Sequence, residues 1–162
     1  MAKIEMRGLD EYTRALARLE LGAREQVIGP AIYQGAKVAA DAIQSSISTI
    51  PIDNGWGTEA NPQSGINARQ KAALHNSFGI TKMRDDDGVY NVKLGFDGYN
   101  SIKTKRWPNG QPNAMIARAL ERGTSWLRPY KFIKKAMAEA RKKALAVMQT
   151  EVDKGIYEIM RK

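Results

Sequence analysis

Apolar side chains recur at steps of three and four over much of this chain, give way to alternation in the middle, and disappear in two loop-like stretches. Residues 3–7 read as a short strand, and residues 9–21 carry Leu9, Tyr12, Leu16 and Leu19 at helical spacing. A second helix begins near Arg24 or after Gly29-Pro30 and extends to about Ile50, with Ile32, Ala36, Ala39, Ile43, Ile47 and Ile50 on one stripe. That stripe predicts a buried seam. Pro30 either kinks the element or marks its start, and Pro51 ends it, because the residue before a proline is pushed away from helical angles.

Beyond Pro51 the pattern breaks down. Residues 51–70 are rich in Gly, Pro, Asn, Ser and Thr, with Trp56 as the sole aromatic, and predict a long loop of the kind that compact domains keep for function. A helical turn at residues 68–75 leads into two strands, 77–84 and 89–97, joined at Asp86-Asp87-Gly88, a hairpin turn signal. In the second strand Tyr90, Val92, Leu94 and Phe96 share one face while Asn91, Lys93, Gly95 and Asp97 share the other, so one face is buried and the other wet. Residues 99–111 return to loop composition, with a turn expected at Trp107-Pro108-Asn109-Gly110.

The last third is the most distinctive. Residues 114–121 read as a short helix closed by Gly123 in a left-handed conformation, with Thr124 or Ser125 capping the next helix. Pro129 suits a first helical turn, where its missing N–H has no partner to lose. From there to about Arg161 the stripe Ile133, Met137, Ala140, Ala144, Met148, Val152, Ile156 and Ile159 predicts a helix about 50 Å long. A compact body of this chain length is only about 40 Å across. The helix therefore bends, stops near Gly155, or protrudes with an apolar stripe for a second chain to cover. With no internal repeat and no linker, the expected architecture is one α+β domain over residues 1–162, a small antiparallel sheet packed against two long helices with extended loops.

Composition narrows the chemistry. The 162 residues contain no cysteine and a single histidine, His75, which removes thiolate sites and nucleophiles and leaves one imidazole for any zinc site or triad. Asp85-Asp86-Asp87 lacks the spaced ligands of a calcium loop and reads as a solvated turn. Glycines form no GxGxxG or P-loop pattern. No enzyme activity, cofactor or metal is expected. The N-terminus lacks the apolar run of a signal peptide and no window approaches a membrane span, so no membrane partner is expected and synthesis in the cytoplasm is.

A formal net charge of +9 favours acidic partners. Its candidate surface is Lys103, Lys105 and Arg106 in one loop, and Lys131, Lys134, Lys135, Arg141, Lys142 and Lys143 toward the last helix. Cations beside Trp107 suit non-specific DNA contact, whereas the helical lysines also fit an ordinary wet face.

The order Ala-x-x-Leu-Glu-Arg-Gly-Thr, then Pro129-Tyr130-Lys131-Phe132-Ile133 and an amphipathic helix, resembles the small neck or tail-completion proteins of long-tailed bacteriophages. Further matching pieces are Gly8-Leu9, residues 31–50 with Pro51, Leu74-His75-Asn76-Ser77-Phe78 and Val92-Lys93-Leu94-Gly95, so the order spans nearly the whole chain. An expanded loop at residues 54–67 and Tyr130 directly after Pro129 depart from that family's pattern. The resemblance implies a non-enzymatic virion protein that forms a homo-oligomeric ring between head connector and tail. Its neighbours would be connector, stopper, tail-terminator or tail-tube proteins. Candidate interface anchors are Trp56, Trp107, Trp126, Tyr130 and Arg128. The alternative expectation is a small basic nucleic-acid-binding protein.

Overall fold

A computed structural model describes residues 23–87 and 89–161. The expected strand at 3–7 and helix at 9–21 lie outside the described residues, as does Gly88 of the hairpin turn. The chain forms the expected α+β fold. A π-helical segment, Ala23–Ile28, runs directly into α1, Gly29–Ser48, with Pro30 in its first turn. Then come α2, Ala68–Ser77; the strands β1, Phe78–Ile80, β2, Arg84–Asp86, β3, Val89–Asn91, and β4, Leu94–Phe96; α3, Asn113–Arg122; and α4, Phe132–Arg161.

Helices α1 and α4 pack antiparallel along their lengths. At one end Ser46 Oγ donates to the Phe132 carbonyl at 3.1 Å, midway Gly35 faces Met148, and at the far end Gly155 sits against Val27. A Cβ at Gly35 would run into the Met148 side chain, so the absence of one is what lets Met148 lie against α1 there. The apolar seam is rotated slightly from the sequence reading. On α1 the buried positions are Ala31, Gly35, Ala39, Ala40, Ile43 and Ile47, with Ile32 and Ala36 half-buried beside them. On α4 the buried positions are Phe132, Ala136, Ala140 and Ile159, whereas Met137 and Ile156, expected inside, are 39% and 37% exposed. Nor does α4 stop at Gly155. It continues to Arg161, with Gly155 against Val27 of the π-helical segment and Ile159 buried.

The core sits where the two helices meet everything else. Ile43, Ile47, Ile50, Ile66, Leu74, Ile116, Leu120, Leu127 and Phe132 form one buried cluster. The hairpin closes it through rings: Phe78 and Phe96 lie 5.0 Å apart, and Phe96 meets Phe132 edge-on at 6.1 Å. That hairpin is interrupted. Ile80 pairs with Leu94 and Arg84 with Asn91, leaving three residues opposite two. The extra residue is a bulge, held by Lys93 N donating to Thr81 Oγ1 at 2.9 Å, and it splits the expected strands of eight and nine residues into two short ladders. The wet and half-buried alternation over residues 92–97 is as expected.

The distinctive motif of the last third is a joint between α3 and α4. Gly123 has the expected positive φ, but with φ 79° and ψ 166° it lies in a region open essentially to glycine rather than in the left-handed helical well. Its N–H donates to Ala119 O at 2.7 Å. Two expectations fail here. Pro129 precedes α4 by three residues and packs on Gly123 instead of opening the helix. The α4 amides are capped by Glu121, whose carboxylate accepts from Ile133 N at 3.0 Å and Lys134 N at 3.1 Å, and not by Thr124 or Ser125. Thr124 Oγ1 accepts from Trp126 N within the intervening turn.

Candidate functional site

The long loop after α1 is ordered by backbone pairing. Pro51 leads the chain away from the helix, and Lys71 holds its exit: the ammonium donates to Ser48 O, in the last helical residue, at 2.8 Å and to Ile50 O just beyond it at 2.7 Å. Buried Ile66 anchors the return limb, with Asp53 N donating to Ile66 O at 2.9 Å and Ile66 N to Pro51 O at 3.1 Å. Gln63 then fastens the loop to the α3–α4 joint, its N–H on Trp126 O at 2.9 Å and its carbonyl accepting from Arg128 N at 2.8 Å. Gly57 lies so close to the Trp126 carbonyl that any side chain would collide with it. On the other side Asn67 and Gln70 form a capping box at the start of α2.

These attachments enclose a cleft of about 390 Å³. Its apolar walls are Trp56, Trp126, Ile66 and Ile102, and its polar groups come from Asp53, Asn54, Gln63, Asn67, Gln70 and Gln111. The polar side chains are held in place: Gln70 Nε2 donates to Gln111 Oε1 at 2.6 Å, Gln63 Nε2 to Gly55 O at 2.6 Å, and Asn54 Oδ1 accepts from Ala68 N at 3.2 Å. One oxygen of Asp53 accepts from Gly55 N at 3.0 Å. Trp56 is 83% exposed and Trp126 36%. The cleft thus combines rigid amides, one carboxylate and two indoles, a lining suited to holding a group in place.

Of the candidate anchors, Trp56 and Trp126 come together here. Trp107 does not. It is half-buried in its own turn, with Thr104 and Trp107 exchanging backbone bonds of 3.1 and 3.0 Å, and the Arg106 guanidinium lies 5.7 Å above its ring. Tyr130 is a structural pin: its hydroxyl donates to Thr49 O at 2.8 Å, tying the joint to the end of α1, while the Lys135 ammonium sits 4.4 Å over its ring. Arg128 is exposed beside the joint. The basic residues are all exposed, Lys103, Lys105 and Arg106 on the loop after β4, and Lys131, Lys134, Lys135, Arg141, Lys142 and Lys143 from the joint onto α4. None of them lines the cleft.

Sequence reading passed over Asp53, Gln63, Gln70 and Gln111. The signal was the density of amides around Trp56, and what was missing was the return of residues 63–66 to Pro51 and Trp126. Among the described residues no group of three or more carboxylate or imidazole side chains is placed to hold a metal ion, and no helix is long and apolar enough to cross a membrane. Comparison with protein-family models, curated proteins and solved structures finds no match.

Proposed function

We propose that this chain is a non-enzymatic structural subunit of the neck of a long-tailed bacteriophage, a virion protein whose copies close into a ring between head connector and tail. Two things support the reading: the colinear motif order along the chain, and above all the 83% exposed indole of Trp56 on a loop pinned at both ends. An ordered, exposed tryptophan costs little further entropy on association and is the residue type that most often dominates interface energy. Head-to-tail contacts between unlike patches generate a ring when the rotation closes. Connector, stopper, tail-terminator or tail-tube proteins are the neighbours such a ring would meet.

A second reading, a basic nucleic-acid-binding protein, draws on the net charge of +9 and on the Arg106 guanidinium 5.7 Å from the centre of the Trp107 ring. One pair of measurements separates the two. Light scattering of the purified chain, alone and with connector or tail-tube rings as templates, is expected to give ring-sized species, and DNA binding is expected to be weak. A chain that stays monomeric with every template yet binds DNA tightly, with affinity falling steeply as salt rises, would replace the first reading by the second.

A further inference from the structure

The lining of the two-tryptophan cleft sorts ligands by charge. Asp53 is the sole charged residue among the lining side chains, and two indoles line the cleft with it, a ring type whose π face attracts cations. With no lysine or arginine in the lining, a phosphate entering the cleft would find no counter-charge. We propose that the cleft receives a guanidinium from a second copy of this chain, supplied by the Arg141-Lys142-Lys143 run of that copy's α4. The proposal rests on the ring reading and names its subunit contact.

Charge complementarity selects the occupant. A chain of net charge +9 has abundant cations to offer a neighbour, and two of them already sit over rings of their own chain. Arg106 lies over Trp107 and Lys135 over Tyr130. Lys131 precedes α4 and Lys134 lies in its first turn, next to the joint that carries Trp126. Arg141, Lys142 and Lys143 are exposed and start six residues beyond Lys135, about 9 Å further along the helix. Arginine suits the site better than lysine, because a planar guanidinium stacks on an indole while its N–H groups reach a carboxylate. Cleft and helix run are different patches, so the contact is heterologous, as ring closure requires.

Complementation tests this directly. Trp56→Ala and Arg141→Glu alter exposed side chains, and Asp53→Asn keeps the oxygen that accepts from Gly55 N, so far-UV circular dichroism and urea midpoints should stay at wild type. Each single variant is expected to raise the concentration needed for assembly about tenfold or more. Mixing Trp56→Ala copies with Arg141→Glu copies should restore one productive contact per pair, giving heterodimers and no rings. Independently, a synthetic peptide of residues 138–146 should quench the tryptophan fluorescence of the full chain saturably, with quenching lost in Trp56→Ala and weakened in Asp53→Asn. If wild type forms rings and the variants assemble equally well, the contact is elsewhere and the ring reading stands. If wild type never assembles, the ring reading fails and this contact with it, whatever the peptide does. A peptide that leaves the fluorescence unchanged also overturns the assignment.

Discussion

Glu121 shows how much of the joint depends on single groups. Its carboxylate spans two amides at the start of α4 from the end of α3, thereby fixing where the 30-residue helix begins relative to the core. The same side chain places a negative charge at a helix N-terminus, where the backbone dipoles favour it. Glu121→Ala is expected to cost about 1–2 kcal/mol, the range of a lost N-cap. Glu121→Gln, which keeps one acceptor, should cost less. Urea unfolding of the two variants checks this, and an unchanged midpoint for Glu121→Ala would mean that the cap contributes nothing to stability. Lys131, with φ 57°, adopts the left-handed conformation seldom taken by a side chain of its kind, and Tyr130 and Lys131 both donate to Leu120 O, at 2.7 and 3.2 Å. The joint is thus a tight turn held by several bonds.

Among the elements, α1 was the most legible, because a 20-residue helix repeats its pattern enough times to define a seam, and Pro30 and Pro51 bracket it. Two residues at its C-terminal end contrast usefully. Ile47 is fully buried and Ile52, just past the helix, is 56% exposed. Ile47→Ala should cost about 2–5 kcal/mol, as large-to-small changes in a packed core do, while Ile52→Ala should stay within about 0.5 kcal/mol. Thermal or urea melts of the pair test the boundary of the core. The hairpin was readable as alternation and as a turn, but not as two ladders, because one inserted residue leaves the polar and apolar order nearly intact while breaking the pairing. The start of α4 was misread by three residues for a similar reason: Pro129 fits a first turn locally, and only the contact with Gly123 shows that it lies outside.

Across the whole molecule, stability is uneven. Core residues of α1, α3 and α4 are buried around Phe132, whereas all three residues of β2 are exposed at the hairpin's far end. Hydrogen exchange followed by mass spectrometry should therefore show the β2–β3 ladder opening first and the amides around Ile43 and Ile47 last. Slow exchange at β2 in the isolated chain would contradict this ordering. The loop of residues 51–67 is expected to be protected where it pairs with Trp126 and Pro51, since its backbone groups are bonded there, and to carry Trp56 as a fixed projection. An exposed indole beside a cleft with one carboxylate, and a basic helix face elsewhere, are two surfaces of unlike chemistry.

Periodicity and punctuation alone determined the class of the fold, the two long helices, the hairpin, the break at Gly123 and the exposure of the basic residues, because these follow from local conformational preference and from the cost of burying charge. The tertiary structure decided which face of α4 turns inward, what caps it, and that Trp56 and Trp126 share a cleft while Trp107 and Tyr130 do not. Those outcomes depend on pairs distant in the chain, such as Gln63 with Trp126 and Glu121 with Ile133 and Lys134. Partners chosen by where the backbone returns leave no mark in the local pattern of residues.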